Sequence, residues 1–208
     1  MRHFALTFWA AALGSSSLLA LSGCGGSSGG SGTTSYHGII AAAQESGTIA
    51  IVVSNTQTAA TGTVTVSGTT TNLTGTYLAA SKALALTGGS YAFAGSLSGR
   101  TFSGTYTGPK GDGVFSALSD EGTTVSSYCG TYSGDDSGVW NLNVDDKGNA
   151  SGAFHSNSGG GGDVLTGTVN GGAVNVTFPG GTASGTISGG GSWSASGSSG
   201  TWTVTNHC

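Results

Sequence analysis

The sequence predicts an all-β fold, built as two tandem antiparallel meander modules that each close into a small barrel or a barrel-like roll. Three observations predict it. Gly, Ser and Thr, at 41, 32 and 29 residues, make up about half of the 208-residue chain and suit turns and solvent-facing strand positions. Strand-sized segments of alternating apolar and polar residues recur about every ten residues. The second half of the chain also repeats segments of the first half in the same order.

The first element in chain order is an export signal, predicted over residues 1–23. Arg2 and His3 give a positive start, a mostly apolar run follows, and Leu-Ser-Gly-Cys ends at Cys24. A positive start, an apolar centre and small residues before a cut are typical of a secretory signal. The Leu-Ser-Gly-Cys segment resembles the lipobox of bacterial lipoproteins. That resemblance implies cleavage after Gly23 and attachment of diacylglycerol to the Cys24 thiol.

The second element is the lipidated Cys24 with a tether, together predicted over residues 24–34. The tether begins with Gly and Ser alone from Gly25 to Ser31, a composition typical of a flexible linker. A transmembrane anchor is the alternative for the apolar run, and the Gly-Ser-Ser-Ser segment within it disfavours that alternative. By resemblance to Gram-negative sorting rules, Gly rather than Asp after the cysteine favours the outer membrane. The expected location is therefore the cell envelope, and the outer membrane in a Gram-negative source.

Two β modules are predicted next, over residues 35–120 and 127–208. The offset between matching segments drifts only from 92 to 87 residues, which favours tandem duplication. The matching segments are 35–38 with 127–130, 73–76 with 165–168, 94–99 with 184–189, and 113–115 with 200–202. The short Gly-x-Trp and Leu-Thr-Gly-Thr segments resemble strands of meander barrels such as avidins, but they carry no binding motif. No family is assigned to the globular part.

Within each module, period-two alternation predicts strands with one face inward and one face in water. The clearest alternating segments are 63–66, 83–86, 140–144 and 174–178, and turn signals lie at 108–111, 145–149, 170–172 and 179–181. On this pattern Asn141 and Asn143 face solvent, on the opposite side of their strand from Trp140. Small residues such as Ala83, Ala85 and Ala92 are expected to face inward in the first module.

Closure of each sheet is expected because a chain with only 7% charged residues cannot protect open strand edges by charge. With Cys24 lipidated, Cys129 and Cys208 remain, and an oxidising compartment would pair them as a disulfide. That bridge would tie the first strand of the second module to its last. The first module has His37 where the second has Cys129, so it closes without a bridge. One larger barrel or sandwich, or a β-solenoid, are the alternative folds, and the uneven spacings disfavour a solenoid.

No catalytic residue is predicted. The histidines after the signal are His37, His155 and His207, and only His155 has a candidate acid nearby, Asp163, across a Ser/Gly loop. An ordinary loop position explains His155 as well. The 145–149 segment is similar in composition to a calcium-binding loop but lacks a bidentate Glu at the right distance. The preference of Asp, Gly and Asn for hairpin turns accounts for this composition. No metal or cofactor is expected.

Three tryptophans, Trp140, Trp193 and Trp202, are the candidate ligand-binding residues, and all lie in the second module. Alternation puts Trp140 and Trp202 on the inward face, which favours a core role. Trp193 stands between serines and is the first candidate for stacking on a glycan or lining an apolar pocket. A cavity lined by Trp140 and Trp202 would favour carriage of a small apolar ligand, and a packed interior would favour a scaffold.

The composition excludes a nucleic-acid binder, because only five Lys and Arg residues exist to meet phosphates. The predicted function is that of a lipid-anchored cell-envelope β protein with a binding or structural role. The alternatives are an envelope hydrolase, a carrier of a small apolar ligand and a glycan-binding module. The expected partners are the membrane, through the N-terminal lipid, and a protein or glycan.

Overall fold

The computed structural model describes residues 32–159 and 161–208, and within them the chain forms sixteen strands and no helix. The predicted signal peptide, the lipidation site Cys24 and the Gly/Ser run up to Ser31 lie outside the described residues. The first eight strands are β1 Thr33–Ala42, β2 Glu45–Ser54, β3 Ala59–Val66, β4 Thr69–Leu78, β5 Ala83–Gly88, β6 Tyr91–Ser98, β7 Thr101–Gly108 and β8 Gly111–Ser119. The second eight are β9 Val125–Gly134, β10 Gly138–Asp145, β11 Asn149–Ser156, β12 Gly162–Asn170, β13 Ala173–Phe178, β14 Gly181–Thr186, β15 Gly190–Ala195 and β16 Ser198–His207.

Each set of eight strands is a closed antiparallel barrel in which every strand pairs with its neighbours along the chain. The first barrel (β1–β8) closes where β8 pairs with β1, with Ser119 opposite Tyr36. The second barrel (β9–β16) closes where β16 pairs with β9, with Trp202 opposite Tyr132. The predicted fold class, two tandem meander barrels, is confirmed. Closure removes the unpaired strand edges that the few charged side chains could not have protected.

The registers of the two barrels correspond, as a duplicated module requires. Gly38 lies opposite Ile49 in the first barrel, and Gly130 lies opposite Trp140 in the second. The same correspondence extends to other strands: Leu86 lies opposite Phe93 in the first barrel, and Val176 lies opposite Ala183 in the second. Structural equivalence therefore allows the two interiors to be compared residue by residue.

Aromatic and aliphatic side chains fill the interior of the first barrel. The Phe93 ring stacks 5.2 Å from the Tyr106 ring and meets the Phe115 ring edge-on at 5.5 Å. Leu84, Leu86 and Phe93 are all buried. The prediction that Ala83, Ala85 and Ala92 face inward is wrong, because Ala85 and Ala92 are exposed and Ala83 is half-buried. Alternation on β5 and β6 sends the large side chains inward and the alanines outward.

The two barrels pack side by side, with β1 and β8 of the first against β10 and β11 of the second. An apolar cluster joins them, formed by Ile39, Ala41, Val114 and Ala153 with the half-buried Val139. Because this contact covers the outer face of β8, that strand is buried continuously from Gly113 to Ser119 instead of alternating.

Two asparagines supply polar contacts between the barrels. The Asn141 side-chain amide donates to the Ile40 carbonyl at 2.6 Å, and the Asn143 amide donates to the Ser116 carbonyl at 2.8 Å. Both asparagines are fully buried. The prediction that they face solvent is wrong, because the first barrel covers the outer face of β10. The side chains of Arg100 and Asp145 add an ion pair between the barrels, at 3.1 Å.

The ends of each barrel are tied together at equivalent places. Cys129 on β9 is joined to Cys208, the residue after β16, with a Cα–Cα distance of 5.1 Å, which supports the predicted disulfide. In the first barrel His37 on β1 pairs with Asp120, the residue after β8, at 3.1 Å. A contact between the His37 Nε2 and the Asp120 carboxylate thus lies where the second barrel has the disulfide. Among the described residues, no helix is long and apolar enough to cross a membrane.

Candidate ligand-binding cavity

The second barrel contains an internal cavity of about 190 Å³. Its deep part is lined by buried side chains, namely Trp140, Leu165, Val174, Val176 and Trp202. Its outer part is lined by partly exposed ones, chiefly Tyr132, Asp136, Phe154, Phe178 and Trp193. Pro179, in the β13–β14 turn, also borders it. The cavity therefore opens at the barrel end formed by the β9–β10 and β13–β14 turns.

One interior position at the cavity carries a small side chain where the first barrel carries a ring. Phe93 lies opposite Leu86 in the first barrel, and Ala183 lies opposite Val176 at the equivalent place in the second. Phe93 is 2% exposed and packs on two further rings. Replacing a phenyl ring by a methyl group leaves its space unfilled unless neighbours move in. Ala183 lines the cavity.

Trp140 and Trp193 each lie over a glycine on a neighbouring strand, and Trp202 lies over Gly185 on β14. Each indole N–H is bound to a backbone carbonyl. Trp140 lies over Gly130 and donates to the Thr203 carbonyl at 3.1 Å. A Cβ at Gly130 would come within 2.5 Å of the Trp140 indole nitrogen. Trp193 lies over Gly200 in the same way and donates to the Ser133 carbonyl at 3.1 Å. These hydrogen bonds fix the rings and leave their carbon faces to line the cavity.

All three predicted tryptophans line this single cavity. The Trp140 and Trp202 rings meet edge-to-face with centroids 4.8 Å apart. Trp193 is half-buried nearer the opening, and its ring meets that of Tyr132 edge-on at 5.8 Å. The sequence pattern assigned Trp140 and Trp202 to the core and Trp193 to a separate binding role. The barrel brings them together because β15 and β16 are neighbours and both face inward at these positions.

One carboxylate, Asp136, lies at the opening of the cavity. Its Oδ1 accepts hydrogen bonds from the hydroxyls of Ser156 and Ser158, each at 2.9 Å, and from the Ser137 amide at 2.8 Å. Its Oδ2 accepts from the Tyr132 hydroxyl at 3.0 Å. Burial alone would raise the pKa of Asp136, but these hydrogen bonds outweigh it and hold the pKa below its ordinary value. Asp136 therefore stays ionised at neutral pH.

Burial, and then the hydrogen bond to Asp136, raise the pKa of the Tyr132 phenol, which stays protonated and donates. The sequence reasoning missed Asp136 as a binding residue. The signal that could have found it is its equivalence to Glu45 in the first barrel. Glu45 lies four residues before Ile49, as Asp136 lies four before Trp140.

Glu45 lies at the equivalent end of the first barrel, where the described residues leave no opening. It is 5% exposed and accepts hydrogen bonds from the phenols of Tyr91 and Tyr106, both at 3.2 Å. Burial, and then the nearby Glu45 charge, raise the pKa of Tyr106. The first barrel thus seals this end with its own rings, whereas the second barrel leaves it open.

The other residues weighed from the sequence lie outside the cavity. The His155 Nδ1 contacts the Ser156 carbonyl at 2.9 Å, and the Asp163 carboxylate accepts from the Val164 amide at 2.7 Å. The 145–149 segment forms the predicted hairpin turn, in which Asp145 accepts from the amides of Lys147 and Asn149. Within residues 32–159 and 161–208 no three His, Cys, Asp or Glu side chains group as metal ligands.

Comparison with protein-family models, with curated proteins and with solved structures found no significant match to this chain. The cavity and its lining therefore carry the functional interpretation.

Proposed function

We propose that this chain is a lipid-anchored binding protein of the cell envelope, whose second barrel holds a small, largely apolar ring-shaped ligand. The observation that carries the proposal is the cavity left by Ala183 where the equivalent position of the first barrel holds Phe93. An engineered apolar cavity of roughly 150 Å³ binds benzene. A cavity of about 190 Å³ is therefore suited to one six-membered ring with a small substituent.

The lining favours binding of such a ligand without rearrangement. The wall is a closed sheet, and the indole N–H groups of Trp140, Trp193 and Trp202 are already bound to backbone carbonyls. Among the described residues no buried side-chain polar atom lacks a partner. A preformed apolar pocket loses little conformational entropy when its ligand enters.

The first barrel is assigned a supporting role. Its interior is packed with rings, its equivalent opening is sealed by Tyr91 and Tyr106, and it buries one side of the second barrel. It holds β10 and β11 against its own β1 and β8, so it stiffens the wall that carries Trp140.

The envelope location rests on the sequence around Cys24 and on the cysteines of the second barrel. The Leu-Ser-Gly-Cys segment supports lipid attachment, and a Cys129–Cys208 disulfide suits an oxidising compartment. The test is mass spectrometry of the protein expressed in a bacterial host, with Cys24→Ser as the control. We expect a diacylglyceryl adduct on Cys24 and its loss in the variant. Recovery of Cys24 unmodified in an uncleaved chain would contradict the anchor.

The binding proposal is tested with two small ring compounds, toluene and benzyl alcohol. Because Trp140, Trp193 and Trp202 all line the cavity, occupancy should change the intrinsic tryptophan fluorescence in a saturable way. Binding to the folded state also raises the melting temperature with ligand concentration. Cyclohexanol serves as a non-aromatic ring of similar size. Absence of any saturable signal with all three compounds would reject the proposed function.

A further inference from the structure

We infer that the ligand of the second barrel is a small organic cation, whose apolar ring enters the cavity and whose ammonium group pairs with Asp136 at the opening. The inference rests on the proposed binding function and adds the charge and the orientation of the ligand. Three features of the opening support it: the state of the carboxylate, the aromatic rings around it, and the comparison with Glu45.

The Asp136 carboxylate is held in place but not saturated. Three donors, the hydroxyls of Ser156 and Ser158 and the Ser137 amide, converge on Oδ1. The Tyr132 hydroxyl is the donor that reaches Oδ2. A carboxylate oxygen has two lone pairs, so Oδ2 can accept one further hydrogen bond. An ammonium N–H at the opening would supply that bond.

Among the described side chains, no cation balances the negative charge of Asp136. The structure pairs Asp120 with His37 and Asp145 with Arg100, but no Lys, Arg or His nitrogen in residues 32–159 and 161–205 reaches Asp136 at ion-pair distance. The whole chain holds only five Lys and Arg against nine Asp and Glu. An anionic ligand would meet this charge at the entrance, whereas a cation would be attracted.

Four aromatic rings line the outer part of the cavity together with the carboxylate. Tyr132 meets Phe154 edge-on at 6.2 Å and Trp193 at 5.8 Å, and Phe154 lies 5.2 Å from Phe178. All four rings line the cavity together with Asp136. Aromatic faces attract ammonium groups, most strongly where water is excluded. A carboxylate bordered by rings is therefore a site for an amine rather than for a neutral or anionic head.

The first barrel shows what the acid at this position accepts when the chain itself fills the space. There Glu45 takes hydrogen bonds from two ring-bearing donors, Tyr91 and Tyr106. Tyr91 lies opposite Gly88, and its equivalent in the second barrel is Gly181, opposite Phe178. The Phe178 ring lies over Gly181 but carries no donor, and Ala183 carries no ring. A ligand with a ring and a donor would supply the ring absent at Ala183 and the donor absent at Gly181.

The test compares the affinities of benzylamine, benzyl alcohol and toluene, which are similar in shape, for the full chain. The affinities are measured by isothermal titration calorimetry at pH 7. We expect benzylamine, which is charged at this pH, to bind about tenfold or more tightly than benzyl alcohol, through the ion pair and the ring faces. Asp136→Asn should remove that preference. Asp135→Asn, at the neighbouring acid whose carboxylate binds the Ser199 amide, should preserve it.

A second measurement uses the unmodified protein and does not depend on the folding of a variant. As the pH falls through the lowered pKa of Asp136, benzylamine affinity should fall while benzyl alcohol affinity holds. Equal binding of benzylamine and benzyl alcohol would overturn the proposal that the ligand is a cation, and so would an amine preference that survives in Asp136→Asn. Either result would leave the cavity proposal intact. Failure of all three compounds to bind would instead reject the binding function itself.

Discussion

Ala183 occupies in the second barrel the register position that Phe93 occupies in the first: Ala183 lies opposite Val176, and Phe93 lies opposite the equivalent Leu86. This difference in side-chain size lies at the cavity of about 190 Å³ in the second barrel, and the equivalent place in the first barrel is packed. Two copies of one fold thus differ in their interiors, one packed and one containing a cavity.

Phe93→Ala should destabilise the first barrel, because it creates there the space that Ala183 creates in the second. The Phe93 ring is 2% exposed and packs on Tyr106 and Phe115, so its removal should cost about 3–5 kcal/mol of the free energy of unfolding. Urea denaturation followed by circular dichroism measures this cost. Ala92→Ser, on the outer face of the same strand, should stay within about 0.5 kcal/mol of the parent. A cost below about 1 kcal/mol for Phe93→Ala would mean that this interior is not tightly packed.

Loss of the bridge should weaken the second barrel more than the first. Cys129 and Cys208 are 79 residues apart, and chain entropy predicts about 4–5 kcal/mol of stabilisation for a loop of that length. The double variant Cys129→Ser, Cys208→Ser should therefore melt well below the parent, as judged by tryptophan fluorescence, since Trp140, Trp193 and Trp202 all lie in this barrel. A reducing agent should lower the melting temperature of the parent only. Two free thiols at these positions in protein recovered from an oxidising compartment would contradict the bridge.

A second disulfide should be accepted in the first barrel. His37 and Asp120 join the first strand to the residue after the last, as Cys129 and Cys208 do, and their largely exposed contact contributes under about 1 kcal/mol. The double variant His37→Cys, Asp120→Cys should form a bridge on oxidation and raise the melting temperature. The single variant His37→Cys is the control. Cysteines that stay reduced in the oxidised double variant would show that the two closures are not equivalent.

Stability should fall with acid, in part through Asp145. Burial raises the pKa of Asp145, but hydrogen bonds from Asn149 and the Lys147 amide, and the Arg100 charge, outweigh it and lower the pKa. An unfolded Asp titrates near 3.9, so as the pH falls below about 4 the unfolded chain binds the proton first and the folded state loses stability. Urea unfolding between pH 7 and pH 3 measures this loss. Asp145→Asn should be less stable at pH 7, and its free energy of unfolding should fall less steeply as the pH is lowered. An unchanged pH dependence of this free energy in the variant would show that Asp145 is not a cause.

Alternation along single strands was enough to predict the meander, the turn at 145–149 and the inward direction of Trp140. The pairing of Cys129 with Cys208 followed from the number of cysteines and from closure of the sheet. These features depend on local periodicity and on the ends of one module, both of which the sequence displays directly.

Features that depend on contacts between distant strands escaped the sequence reasoning. The pattern of β10 gives no sign that the first barrel covers Asn141 and Asn143. In the sequence, Ala183 is one small residue among many in a Gly/Ser-rich strand. Only the strand register identifies Phe93 as the equivalent residue in the first barrel. Cavities arise from the summed volume of side chains on many strands, so no single segment predicts one.

The most direct test of the proposed container is a titration of benzyl alcohol into the parent protein and into Ala183→Phe. The variant places in the second barrel the ring that the first barrel already holds. Ser184→Phe, at the exposed neighbouring position on β14, adds the same ring outside and serves as the control. The cavity account predicts saturable binding to the parent and to Ser184→Phe, and no binding to a folded Ala183→Phe of equal or higher melting temperature. Binding of benzyl alcohol to Ala183→Phe with unchanged affinity would contradict it.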